Sequence, residues 1–217
     1  MERIICLIIG YAFGLIQTSY IIGKFKGIDI RDYGSGNAGT TNSMRVMGRK
    51  AGFAVVIIDI AKCIAAVVVT WLIFMGSDYS QLLKIWTSAG VILGHDYPFY
   101  MHFKGGKGIA ATAGMIIAFG DPLLILIGVI VFFIPFFTTH YVSLCSLCLS
   151  LSFLIGAIIR GSAGMYSLSP GCLREMYVFV AILTALAFIQ HRANIDRLVH
   201  GTEKKWGHKK ADNPVRG

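Results

Sequence analysis

The side chains able to do chemistry in this chain collect in three short polar stretches set between long apolar runs. The first runs from Gly34 to Gly48 and holds Ser35, Asn37, Thr40, Thr41, Asn42, Ser43 and Arg45 among several glycines. Small hydroxyls, unhindered backbone amides and a guanidinium suit an anion, above all a phosphate monoester. The second is Lys104-Gly105-Gly106-Lys107-Gly108. It is not a P-loop, because no Ser or Thr follows the Gly-Lys pair and the first glycine of that spacing is missing. Its glycine amides can still form an anion nest at the head of a helix, with two lysines adding charge. The plainer alternative is a basic loop resting on anionic lipid headgroups. The third is His191-Arg192-Ala193-Asn194, in which His191 and Asn194 share a helix face at i, i+3. His191 is either a polar anchor at a membrane interface or a catalytic group. No Ser-His-Asp order, nucleophile elbow or zinc-ligand spacing accompanies it.

The elements that must position these groups are apolar helices. Of the 217 residues, 55% are hydrophobic and 14% charged, with a mean hydropathy of +0.68; soluble domains carry roughly 25% charged residues. The chain reads as an all-α integral membrane protein, one polytopic unit over 1–217 with no room for a soluble domain. A bilayer core about 30 Å thick needs about 20 apolar residues per helix. Spans are expected over 4–23, 52–75, 82–94, 109–120, 123–137, 142–159 and 176–190, with a polar connection over 160–174. The fourth gives only about 18 Å of helix, too short to cross. Either that helix begins inside the glycine loop, or the loop dips into the bilayer under cover of protein. The first span is not expected to be a cleaved leader, because the positive charges follow it (Lys24, Lys26) and no small-x-small site ends it.

Charge then sets the topology. With about seven transmembrane helices and the N-terminus outside, the segments 24–50, 98–108, 138–141 and 191–217 face inward and hold 15 of the 20 Lys and Arg residues. That asymmetry fits the positive-inside rule, puts the C-terminus in the cytoplasm, and places all three polar stretches on the cytoplasmic side. The same rule accounts for the net charge of +9 without nucleic acid. Inside the second span Asp59 and Lys62, at i, i+3, are expected to pair, either as a structural ion pair or as a buttress for the site. Gln17, Thr18 and Ser19 either line a polar cavity or hydrogen-bond to neighbouring helices. A short helix is expected from a Thr40 or Thr41 N-cap to a Gly48 C-cap. Cys145 and Cys148 put two small side chains on one helix face, a packing feature rather than a metal or redox site.

Three motifs resemble the bacterial acyl-phosphate:glycerol-3-phosphate acyltransferases, the PlsY family. They are Ser35-Gly36-Asn37-Ala38-Gly39-Thr40-Thr41-Asn42 with Arg45 and Gly48; Gly94-His95-Asp96-Tyr97-Pro98 followed by Phe103 to Gly108; and His191-Arg192-Ala193-Asn194-Ile195 with Arg197-Leu198 and Gly201-Thr202-Glu203. The resemblance covers nearly the whole chain in order. It implies a seven-helix enzyme of the cell (inner) membrane that moves a fatty acyl group from acyl phosphate to the 1-hydroxyl of sn-glycerol 3-phosphate. The products are lysophosphatidic acid and phosphate. It implies no metal, no cofactor and no nucleic acid, and a functional link to an enzyme that makes acyl phosphate. Carried over by position, Ser35, Arg45 and Lys104 hold the glycerol 3-phosphate phosphate. Gly105, Gly106 and Gly108 let the backbone approach the substrates. His191 and Asn194 orient the nucleophile or the reacting carbonyl, and Glu203 braces the tail. Asn37, Thr41, Lys107 and Ser143 complete the substrate-binding set. Three positions depart from the family pattern: His140 stands where many members have arginine, Cys63 replaces a glycine, and Gln190 replaces an arginine.

Such a reaction must remove a hydroxyl proton and stabilise a tetrahedral oxyanion. His191 or an oxygen of the leaving phosphate takes the proton, and glycine amides of 105–108 or the Asn194 amide form the oxyanion hole. The rival readings are a transporter for phosphorylated metabolites, which needs access from both faces, and a scaffold that binds anionic lipid.

Overall fold

The computed structural model describes residues 1–207, and the basic tail residues Lys209, Lys210 and Arg216 lie outside the described residues. The chain folds into helices α1 (Glu2–Gly14), α2 (Thr18–Phe25), α3 (Thr40–Met47), α4 (Arg49–Ile73), α5 (Ser80–Asp96), α6 (Ile109–Phe119), α7 (Pro122–Thr139), α8 (Val142–Ser162), α9 (Pro170–Gln190) and α10 (Arg192–Val199). Among the described residues, five segments are long and apolar enough to cross a membrane: 2–25, α4, α7, α8 and α9. The shorter α5 and α6 run between the same two ends and pack in the middle of the bundle.

The first apolar run is not one helix. It breaks between Gly14 and Thr18, where Gln17 leaves helical geometry. A break frees backbone carbonyls, which must find donors away from water. Gln17 Nε2 donates to His95 O at 2.8 Å and to Gly14 O and Gly94 O at 3.3 Å. Lys62 Nζ donates to Ile16 O at 2.7 Å. Gln17, Thr18 and Ser19 thus hydrogen-bond to neighbouring elements, the second of the two readings above. The expected Asp59–Lys62 pair is present at 2.9 Å, with both side chains 2% exposed. Removing one partner alone would strand a buried charge, at about 3–5 kcal/mol.

Helices α1 and α5 touch backbone to backbone. Gly10 and Gly14 face Gly90 and Gly94, and a Cβ on any of the four would strike a carbonyl of the other helix. Small residues four apart allow this approach, which stands in for the hydrophobic drive that lipid removes. The core lies where α4, α5, α6, α8 and α9 meet, around Ile85, Met115, Phe119, Phe153, Met176 and Val180. Cys145 is buried on α8, its Sγ donating to Tyr141 O.

One end of the bundle is closed by ion pairs. Arg3 Nε is 2.6 Å from Glu175 Oε1, which also accepts from Trp86 Nε1 at 2.8 Å. Arg160 Nε and the Tyr166 hydroxyl both donate to Asp121 Oδ2, while Asp121 Oδ1 caps α7. The expected connection over 160–174 is present but shorter, over 163–169, because α8 continues to Ser162 and α9 starts at Pro170. Arg160 belongs to the closed end.

Candidate active site

All three polar stretches lie at the opposite end. In the first, Asn42 organises the loop. Its buried amide donates to Ile30 O and Tyr33 O, and its Oδ1 accepts from Ser35 N at 2.8 Å. Gly34 and Gly36 take positive φ to make the turn. Helix α3 forms as expected and ends at Gly48. Its N-cap, however, is Gly39, with no side-chain cap; the hydroxyls of Thr40 and Thr41 do not close it. The first loop meets the glycine loop directly: Ala38 N and Asn37 Nδ2 both donate to Gly105 O at 3.4 Å.

The glycine loop corrects an expectation. Gly105 N donates to Asp96 O at 3.1 Å and Gly106 N to His95 O at 3.0 Å. These two amides are tied to the end of α5 and do not form an oxyanion hole. The glycines serve close packing instead. A Cβ at Gly106 would fall on the His95 imidazole, and one at Gly105 on His95 O. Helix α6 begins after the loop, at Ile109, so the loop folds back on α5 rather than extending the helix.

The tail supplies the third wall. Glu203 Oε1 accepts from Asn194 Nδ2 at 2.7 Å and Ser143 Oγ at 3.0 Å, and Oε2 pairs with Arg197 Nε at 2.6 Å. Burial opposes its ionisation, but these three donors outweigh it and lower its pKa. Ser143 and Glu203 thus brace each other, tying the start of α8 to the tail. Lys107 Nζ donates to Asn194 Oδ1, which joins the glycine loop to the tail. Trp206 N donates to His140 O, so the tail also folds onto the α7–α8 turn.

His191 closes α9 and is 4% exposed. Its Nδ1 lies 2.7 Å from Ala187 O. A carbonyl can only accept, so Nδ1 carries the proton and Nε2 presents a lone pair. Burial, and then the Lys107 charge, lower the imidazole to about 4, against the Ala187 bond and the Glu203 charge. Burial, and then the Arg197 charge, lower Lys107 to about 8, while Glu203 and Asp96 pull the other way. The site therefore holds a neutral histidine beside a lysine that titrates near neutrality. Burial also lowers Arg45, with Glu203 opposing and Arg197 assisting, which places Arg45 in the field of the tail. The side chains of Ser35, Thr41, Arg45 and Lys104 make no hydrogen bond among the described residues; Ser35 and Lys104 are exposed at the rim.

Two positions escaped the sequence reading. Asn42 stands in the sequence only as a member of the first polar stretch and its motif, and Asp96 only as part of the second motif. The Asp96 side chain is buried beneath Gly108, with Oδ2 accepting from Gln190 Nε2 at 3.4 Å. Beside this end, an apolar groove of about 360 Å³ opens between α1 and α5, lined by Leu7, Ile8, Tyr11, Leu93, Tyr97 and Phe103.

The family model described as glycerol-3-phosphate acyltransferase matches residues 4–201. Proteins named glycerol-3-phosphate acyltransferase from Thermoanaerobacter sp. strain X514 and Macrococcus caseolyticus are 39% and 37% identical over 211 residues. Those alignments cover 96% and 97% of this chain and 98% and 100% of the relatives. The fold is similar to crystal structures of PlsY, an integral membrane glycerol 3-phosphate acyltransferase, in its glycerol 3-phosphate and lysophosphatidic acid forms. The TM-scores are 0.81 and 0.79, at 30% identity over 95% of this chain and 96% of those. A match that runs the length of the molecule, in sequence and in fold, leaves one assignment: the chain belongs to the glycerol-3-phosphate acyltransferase family and is an integral membrane acyltransferase.

Proposed function

We propose that the protein transfers a fatty acyl group from acyl phosphate to the 1-hydroxyl of sn-glycerol 3-phosphate, releasing lysophosphatidic acid and phosphate. The observation that carries this reading is the junction of Lys107, Asn194 and Glu203, which brings the glycine loop and the tail together beside Arg45 and His191. Two phosphate-bearing substrates need more positive charge than one, and Arg45, Lys104, Lys107 and Arg197 supply it. A transporter would need a second open end, whereas the far end here is tied by Arg3–Glu175 and Arg160–Asp121. The basic end faces the cytoplasm by the positive-inside rule. The α1–α2 run and α4 to α9 make seven passes.

In this reading Arg45, Lys104 and Ser35 hold the glycerol 3-phosphate phosphate, and Lys107 lies between the two anions. His191 Nε2 accepts the hydrogen bond of the 1-hydroxyl and aims its oxygen at the acyl carbon. The new C–O bond forms as the bond to phosphate breaks. A base held at about 4 is a poor acceptor for a hydroxyl proton. The hydroxyl has one proton, so its hydrogen bond passes from His191 Nε2 to an oxygen of the departing phosphate, which carries the proton away as the C–O bond forms. With Gly105 and Gly106 engaged, the oxyanion donors are Lys107 and the Asn194 amide. The groove between α1 and α5 takes the acyl chain from the lipid side. Acyl phosphate must come from an enzyme that makes it, which is the one functional partner the reading requires.

The test gives purified protein glycerol 3-phosphate with palmitoyl phosphate, and palmitoyl-CoA in parallel. Lysophosphatidic acid from the phosphate donor alone is expected; product from the CoA donor alone would overturn the donor.

Two further outcomes follow from the site. Lys107 is an ammonium below about 8 and neutral above it. Because kcat/KM reports the free enzyme, its value for glycerol 3-phosphate should fall as pH rises through 8. Lys107→Arg should remove that limb; a profile flat from neutrality to well past 8 would separate Lys107 from phosphate binding. Leu93→Trp fills the groove and should lower turnover of palmitoyl phosphate by about tenfold more than that of octanoyl phosphate. Equal losses would place the acyl chain elsewhere.

A further inference from the structure

Asp59, Lys62 and His95 take no part in the chemistry above, yet they lie directly behind the glycine loop. Lys62 Nζ is 2.9 Å from Asp59 Oδ1 and 2.9 Å from His95 Nδ1, besides its bond to Ile16 O. An amino group paired with a carboxylate donates, so His95 Nδ1 accepts and the ring proton is on Nε2. That Nε2 edge lies against Gly106, where any Cβ would overlap it. The His95 carbonyl accepts from Gly106 N at 3.0 Å and from Gln17 Nε2 at 2.8 Å. Ring and carbonyl of one residue together form the bed of the loop.

The same network reaches the first loop. Thr18 Oγ1 donates to Asp59 Oδ1 at 3.0 Å, and the adjacent Ser19 Oγ donates to Ala38 O at 2.6 Å. Ala38 N in turn donates to Gly105 O. A pair that served only to neutralise itself would close on itself. Here both members extend to other elements, one to each phosphate-facing loop.

We propose that Lys62, held by Asp59, is a positioning residue for substrate binding: it fixes the His95 imidazole against Gly106 and, through Thr18 and Ser19, sets the register of both loops. The inference rests on the acyltransferase reading above. Its consequence is a division of labour. The ion pair does not touch substrate, but it determines where Lys104, Lys107 and Ser35 stand when substrate arrives.

The test replaces both charges at once, as Asp59→Asn with Lys62→Met, so that no lone ion is left buried. If the pair were only structural, this double variant would keep the wild-type KM for glycerol 3-phosphate, whatever its thermal stability. Positioning predicts a KM raised by about tenfold or more, with kcat within about threefold of wild type. An unchanged KM overturns the proposal. Should the double variant fail to fold, a second measurement decides. Gly106→Ala is compared in the wild-type and His95→Ala backgrounds, since removing the ring makes room for the new methyl. The proposal expects the Gly106→Ala penalty on kcat/KM to shrink by about tenfold in the His95→Ala background. Equal penalties in the two backgrounds would overturn it. Product formation by the wild-type protein in the same assay shows that the reaction itself is not at fault.

Discussion

Replacing His191 with alanine is expected to lower kcat by about 10²- to 10³-fold while KM for glycerol 3-phosphate changes little. The imidazole is not placed to hold the phosphate. Its Nδ1 is tied to Ala187 O, its charge is suppressed by burial and by Lys107, and its neutral Nε2 makes no hydrogen bond among the described residues. Its contribution is therefore to aim a hydroxyl, an effect made in the transition state and read in kcat. A rise in KM alone would reduce His191 to a binding group. Because the imidazole is neutral down to about 4, the wild-type rate should show no histidine limb between 5 and 7.

Glu203→Ala is expected to lower kcat/KM by about 30- to 100-fold through loss of the bracing around Asn194 and Arg197. Three donors from two elements converge on it: Ser143 of α8, and Asn194 and Arg197 of α10. Losing it frees Asn194 from one side and removes a carboxylate that pairs with Arg197 and offsets the charges of Lys107 and Arg45. Limited proteolysis near residue 203 should quicken in parallel. Wild-type kinetics in the alanine variant would show that the tail is not a wall of the site. The pH dependence has a definite sign. Because the folded-state pKa is depressed, this contribution to stability is present above the usual glutamate value of 4.5 and is lost as pH falls through the folded value.

Much of the architecture is legible in the sequence because lipid constrains it strongly. Apolar runs of sufficient length mark α4, α7, α8 and α9, and the concentration of Lys and Arg in 24–50 and beyond 191 marks one end of the bundle. Asp59 and Lys62 could be paired from spacing alone, since an unpaired charge there is too costly. The break at Gln17 was not legible, because hydropathy averaged over a window does not register one polar residue whose partners, Gly94 and His95, lie 77 and 78 residues away. The four glycines joining α1 and α5 do have a readable spacing, four apart in both helices, which is a signal for close helix contact. The glycine loop shows the limit of local reasoning. Its composition allowed a nest of free amides, but the fold gives Gly105 and Gly106 to α5, a contact that no pattern within the loop encodes. The Ser143–Glu203 hydrogen bond likewise joins residues 60 positions apart, a pairing that no local pattern announces.

The central claim is that these stretches form a single phosphate-binding site, and equilibrium binding of radiolabelled glycerol 3-phosphate to the detergent-solubilised protein tests it most directly. Arg45→Ala is predicted to weaken binding by about tenfold or more, as expected for loss of a charge-assisted contact, whereas Lys84→Ala, whose ammonium caps α6 at Phe119 O at the far end, should leave it unchanged. Equal affinity in wild type and Arg45→Ala would contradict the account.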